Sequence, residues 1–152
     1  MIRVYLDVCC WNRPFDDQTQ ARIHLEAEAV LAIVADIEGG GCELLHSEVA
    51  NLEISESPDS ERRQRLQLMI PHRHRYVRCD AKVAARALEL ERLGFTGIDA
   101  LHIACAEAGG ATVLLTTDDR LLRVARRSPA GSLHVKVANP LAWVQDTHGE
   151  RT

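Results

Sequence analysis

Acidic residues stand at four separated places where the patterning of the chain changes. Asp7 closes the apolar run Val4-Tyr5-Leu6. Glu48 and Glu53 follow the run Cys42 to His46, Asp99 lies three residues after Thr96, and Asp118 and Asp119 follow the run Ala111 to Leu115. Carboxylates gathered at one place repel one another unless a cation sits among them. A small set of oxygen ligands suits Mg²⁺ or Mn²⁺ with several retained waters. Such a site generates a hydroxide from bound water and stabilises in-line attack at phosphorus.

Each acid also has a plainer explanation. Thr96 with Asp99 and Thr116 with Asp119 match the Thr-x-x-Asp capping box, and a first-turn acid gains about 0.3–1 kcal/mol from the helix dipole. Asp7 resists that account, because an Asp ending an apolar strand has poor β-propensity and lies near a buried core. Glu53 flanks the inward stripe of its helix, four residues after Val49 and one after Leu52. An inward carboxylate wants a partner, a proton or a metal. Glu48, its rival, suits a cap or dipole role better.

The elements that must position these acids follow from periodicity and punctuation. Val4 to Leu6 reads as a buried strand, followed by a loop from Trp11 to Asp17. Ile23, Ala27, Val30, Val34 and Ile37 recur at steps of three and four, which predicts a long amphipathic helix stopped by Gly39 to Gly41. Cys42 to His46 reads as a strand, and Ser47 begins a helix ending near Glu56. Ser57 as N-cap with Pro58 at the first helical position restarts the chain as a helix to Ile70. Tyr76 to Arg78 is extended, and Asp80 caps a helix carrying Val83, Ala87 and Leu90. Thr96 caps another, with Ile98, Leu101, Cys105 and Ala108 on its inner face. Ala111 to Leu115 is a strand, Thr116 to Asp119 opens a helix through Arg127, His134 to Ala138 is a strand, and Pro140 starts a last short helix.

Apolar strands alternating with helices predict a parallel sheet covered on both faces. Right-handed crossovers make this an α/β fold, a three-layer α/β/α sandwich with a mostly parallel central sheet. In such folds ligands bind beyond the carboxyl ends of the strands. Helices running back from that edge begin there too, so all four acidic segments are delivered to one edge.

Composition narrows the class. The chain has 152 residues, 46% of them hydrophobic and 26% charged. That is one ordinary domain, residues 1–152, with enough core to fold without a staple. Its longest wholly apolar run, Ala29 to Ala35, is far short of a membrane span. Arg3 and Asp7 interrupt the N-terminal apolar residues, so no secretory signal is read and a cytoplasmic location is expected. Five cysteines, an odd count without CxxC spacing, argue for reduced buried thiols rather than disulfides or a zinc ribbon. His72 and His74 lack zinc spacing, and no GxGxxG, GxxxxGK[ST] or GxSxG sequence occurs. A phosphotransferase with a nucleophilic Asp wants a second Asp two residues on, and Asp7-Val8-Cys9 lacks it.

Net charge is −4, yet Arg62 to Arg78 holds six arginines and no acid. This run reads either as a solvated helix face or as a phosphate-contacting groove, with Arg13 and Arg120 nearer the acids. As a groove, it predicts that reversing Arg62, Arg63 and Arg65 weakens binding of a phosphate backbone and flattens its salt dependence. His102, one helical turn beyond Asp99, reads as a packed histidine or an acid–base assistant. Asn12 reads as a turn residue or a substrate contact.

Leu6-Asp7, Ser47-Glu48-Val49 with Glu53 after it, Ile98-Asp99-Ala100-Leu101-His102-Ile103-Ala104 and Leu115-Thr116-Thr117-Asp118 together resemble PIN domains, in the right order from about Ile2 to Val144. The resemblance implies an α/β/α sandwich and an Mg²⁺- or Mn²⁺-dependent ribonuclease. Asp7, Glu53, Asp99 and Asp118 would hold a metal that activates a water to cut an RNA phosphodiester. It also implies the toxin of a VapBC-type toxin–antitoxin pair, an antitoxin partner and a homodimer. Two departures are Val8, where the family often has Ser or Thr, and Asp119 beside Asp118. The alternative is a non-catalytic PIN-like module binding RNA or protein, which would be expected to have lost an acid.

Overall fold

Five strands form one sheet in the order β3-β2-β1-β4-β5, with every neighbouring pair parallel. They are β1 (Arg3–Leu6), β2 (Glu43–Ser47), β3 (Arg75–Val77), β4 (Val113–Leu115) and β5 (Lys136–Ala138). The computed structural model describes residues 1–151, with side chains through Thr147. The helices are α1 (Val8–Asn12), α2 (Ala21–Glu38), α3 (Glu48–Ser55), α4 (Ser60–Met69), α5 (Ala81–Glu91), α6 (Gly97–Ala108), α7 (Asp119–Arg127) and α8 (Pro140–Arg151).

Strand alternation sorts the core into two layers. Val4, Leu6, Leu44, Val113 and Leu115 face α1, α2 and α4, with Trp11, Val30, Ile33, Ile54 and Leu66 packed against them. Tyr5, Leu45 and Leu114 face the other way, onto Val83 and Leu90 of α5, Ile103 and Cys105 of α6, and Leu121 of α7. Gly109 ends α6 where a Cβ would strike the Leu45 side chain, so the smallest residue lets helix and sheet approach. The expected α/β/α sandwich is the fold observed.

The order places β1 between the strands that precede and follow a reversal of direction across the sheet. The chain steps from β1 through β2 to β3, then returns to β4 on the opposite side of β1. The crevice at that switch lies beyond the ends of β1 and β4.

Four local expectations differ from the structure. The expected loop from Trp11 to Asp17 is largely helical, since Asp7 caps α1 by accepting from Val8 N, and a 3₁₀ turn, Arg13–Phe15, follows. Helix α4 starts at Ser60 with Asp59, not Ser57, as its cap; Asp59 accepts from Arg62 N. Asp118 rather than Thr116 caps α7. Ile98 is exposed, and α6 instead buries Ala100, His102 and Ile103.

Candidate metal centre

Asp7 is fixed by the sheet itself. Its N–H donates to Leu115 O at 2.9 Å, continuing the β1–β4 pairing past the last strand residue. Its Oδ1 accepts from Val8 N at 2.8 Å. Its Oδ2 accepts from the Thr116 hydroxyl at 2.8 Å and from the Cys9 thiol at 3.3 Å. Thr116 thus brings a hydroxyl to Asp7 where Val8 offers none. The same oxygen of Thr116 accepts from Asp118 N at 3.1 Å, which ties the ends of β1 and β4 together.

Glu53, on α3, reaches the same place from the other side. Its Oε1 lies 2.7 Å from His102 Nε2, and that nitrogen lies 3.6 Å from Asp7 Oδ1. One ligand atom from each of Asp7, Glu53 and His102 falls within 4.8 Å of the others. His102 is buried on α6, and its Nδ1 lies 2.6 Å from the Tyr5 hydroxyl. Tyr5 in turn lies 2.6 Å from Ser47 Oγ, which accepts from Ala50 N at the start of α3.

Donor bookkeeping ties the polarity of this chain to the protonation of His102. An ionised Glu53 only accepts, so Nε2 carries the proton. In its neutral form His102 then accepts at Nδ1 from the Tyr5 hydroxyl and Ser47 donates to Tyr5, whereas a charged His102 donates from both nitrogens. Burial holds the Tyr5 phenol well above its ordinary pKa, so it stays a donor. Burial disfavours a charged His102, but the Glu53 hydrogen bond and the charges of Asp7, Glu53 and Asp99 outweigh it and raise its pKa.

Asp99 stands in the first turn of α6, where its N–H donates to the Thr96 cap. Burial, followed by the nearby charges of Asp7 and Asp118, raises its pKa against the opposing effects of Thr96 and His102. Asp118 spends Oδ1 on Arg120 N at 2.9 Å and Leu121 N at 3.4 Å as the cap of α7. The two rivals lie elsewhere. Glu48 accepts from Cys79 N at 3.2 Å beyond the end of β3. Asp119 is clasped by both guanidinium nitrogens of Arg22, at 2.8 and 2.7 Å, which pulls its pKa down.

The arrangement therefore joins Asp7 and Glu53 through His102, with Asp99 and Asp118 close enough to Asp7's neighbourhood to act on one another electrostatically. All four are carboxylates, and the Asp99 pKa is raised first by burial and then by the charges of Asp7 and Asp118. A hard divalent cation fits such a donor set, since it would relieve the repulsion among them and prefers oxygen. The roles of Tyr5, Ser47 and Thr116 did not emerge from sequence reasoning. The usable signal was Tyr5 itself, because a buried tyrosine hydroxyl requires a partner.

Beside Glu53 opens a cleft of about 530 Å³, walled by Cys9, Asn12, Arg13, Asp59 and Arg62. The arginines expected to line a groove are largely spent inside the molecule. Arg62 donates to Asp16 Oδ1 at 2.8 Å and Phe15 O at 2.6 Å, Arg63 to Ser57 O, and Arg65 pairs with Glu61. Arg13 pairs with Asp16 and with the buried Glu26. Asn12 bonds back to Val8 O, a turn-closing contact. Arg62→Ala is therefore expected to lower stability by about 1–3 kcal/mol, seen as a lower urea midpoint. An unchanged midpoint would show that these bonds contribute nothing.

The model of the PIN domain family matches residues 4–127. No curated protein matches the chain significantly. Among solved structures the chain resembles VapBC2 from Rickettsia felis bound to a DNA fragment from their promoter, at 16% identity and a TM-score of 0.58, covering 90% of this chain and 98% of that one. It also resembles DNA-bound VapBC from Salmonella typhimurium, at 17% identity and 0.57, over 92% and 99%. FitAcB from Neisseria gonorrhoeae aligns at 17% identity and 0.55, over 90% and 97%. With the model match spanning most of the sequence, from β1 to the end of α7, the chain belongs to the PIN domain family.

Proposed function

We propose that the protein is a divalent-cation-dependent endoribonuclease, the toxin of a toxin–antitoxin pair. The observation that carries this reading is the convergence of Asp7 and Glu53, with their ligand atoms within 4.8 Å, at the switch-point crevice. Asp7, Glu53, Asp99 and Asp118 would hold Mg²⁺ or Mn²⁺. When bound, the cation supplies a water of lowered pKa and charge stabilisation at phosphorus. The chain's own residues set the stage for it. Thr116 and Val8 N–H fix both oxygens of Asp7, and His102 fixes one oxygen of Glu53. The cleft beside Glu53 offers space for a nucleotide flanking the cut.

The antitoxin partner rests on likeness to the VapBC complexes, and with it go a cytoplasmic location and a homodimer. No helix among the described residues is long and apolar enough to cross a membrane.

The test is cleavage of a mixed RNA pool by the pure protein in Mg²⁺ or Mn²⁺, beside EDTA and Asp7→Asn. Asn is as good a helix cap as Asp, so α1 should survive the change. Cleavage that disappears in EDTA and in the variant is the expected result. A wild-type protein that neither cuts RNA nor binds the metal by calorimetry would be a non-catalytic module instead.

A further inference from the structure

Unspent positive charge is concentrated on α7. Arg120, Arg123, Arg126 and Arg127 are all exposed, while Leu121, Leu122 and Val124 face the core. At about 100° per residue, Arg120, Arg123 and Arg127 share one stripe. None of these guanidinium groups has a hydrogen-bond or ion-pair partner among the described residues. Arg3, Arg13, Arg22, Arg62, Arg65, Arg75 and Arg86 are all in ion pairs, and the other exposed arginines without a partner, Arg73, Arg78 and Arg92, are spread over three segments rather than one face. The one acid on the exposed face, Asp119, is paired with Arg22 and feels Arg123 and Arg126 only through space.

Position gives the stripe its meaning. It begins two residues after Asp118, the cap of α7, and Arg120 to Arg127 extends about 10 Å along the helix. A polyanion approaching the four carboxylates of a chain with net charge −4 is repelled unless positive charge lies close by. At ~0.1 M salt the screening length is about 10 Å, so arginines within two turns of the acids act on it. Guanidinium forks match phosphate oxygens. A protein partner fits less well, because interface cores need apolar or aromatic anchors. The exposed large apolar side chains, Leu25, Leu31, Leu52, Leu68, Leu88 and Ile98 among them, all lie outside α7.

We infer that the Arg120–Arg123–Arg127 face of α7 is the track that holds the phosphate backbone of a single RNA strand leading to the acidic site. This rests on the ribonuclease reading. It moves the polyanion contact from α4, whose arginines are internally bonded, to α7.

The test is anisotropy of a labelled oligouridine bound to the full chain in EDTA, across a series of salt concentrations. Arg123→Ala/Arg127→Ala is compared with Arg73→Ala/Arg92→Ala, which removes two exposed arginines outside α7. Each lost single-strand phosphate contact removes about 0.7 from the slope of log affinity against log salt. The α7 variant is expected to lose about 1.4 in slope and roughly tenfold in affinity at low salt, with the control unchanged. Equal effects in both variants overturn the track. So does equally tight binding of charge-matched polyglutamate, which would make the occupant an acidic protein. If the α7 slope falls but the wild type never cuts RNA with metal added, the ribonuclease reading fails and the track stands. If RNA is cut and the slope does not change, only the track fails.

Discussion

Asp99→Asn is expected to raise the melting temperature of the metal-free protein at neutral pH and to lower RNA cleavage by at least ~100-fold, the scale of removing one preorganised charge from a site. The stability half follows from the pKa. Burial first, then the charges of Asp7 and Asp118, hold the folded-state value above the ordinary one. A raised acid gives stability that is complete below the unfolded carboxylate range, about 3.9 for Asp, and that is lost as pH rises through the folded value. Asn imitates the protonated form, so variant and wild type should melt together in acid. They should separate as pH climbs, with the variant ahead at neutral pH. Added Mg²⁺ or Mn²⁺ should raise the wild-type melting temperature more than the variant's. The sign is diagnostic. Were Asp99 only a first-turn acid favoured by the helix dipole, Asn would cost about 0.3–1 kcal/mol and the variant would melt lower at every pH above the carboxylate range.

What sequence reasoning reached and what it missed divide along the range of the interactions. Asp7, Asp99 and Asp118 are marked by local rules: the end of an apolar strand, the turn after a capping threonine, and the third residue past a strand. The architecture follows from alternating strands and helices, and the sheet's parallel pairing from their apolar cores. What separates Asp118 from Asp119 is different. Asp119 is held by Arg22 on α2, 97 positions away, and no local pattern carries that distance. The arginine run shows the same limit. Its density was visible, but the acceptors of Arg62 at Asp16 and Phe15 O lie 46 and 47 positions earlier. Helix α1 escaped notice because five residues hold too little period to read. His102 was visible as a candidate one turn from Asp99. Its partner Tyr5 sits 97 positions back, inside a strand that advertised only burial.

That distant pair sets the second large effect. His102→Leu is expected to weaken Mn²⁺ binding by about 10–100-fold, the range for losing a group that orients a metal ligand. His102→Gln should stay within a few-fold of wild type. The imidazole Nε2–H holds Glu53 Oε1 at 2.7 Å, and Glu53 Oε2 has no hydrogen-bond partner among the described residues, so one oxygen is anchored and the other offered. Leucine fills the buried site but leaves Glu53 to swing, whereas a glutamine amide can donate to Glu53 and accept from Tyr5. Tyr5→Phe tests the far end. It strips the donor from His102 Nδ1 and the acceptor from Ser47, both buried, and should cost about 1–3 kcal/mol of stability. Freed of that constraint, the imidazole can present either tautomer, and Mn²⁺ affinity should fall in the same direction as for leucine. Calorimetric titration and melting curves read both effects without any RNA present. If His102→Leu binds Mn²⁺ normally and His102→Gln still loses cleavage, the histidine moves a proton rather than holding Glu53. Glutamine can reproduce the hydrogen bonds of imidazole but not its titration, and that difference separates the two roles.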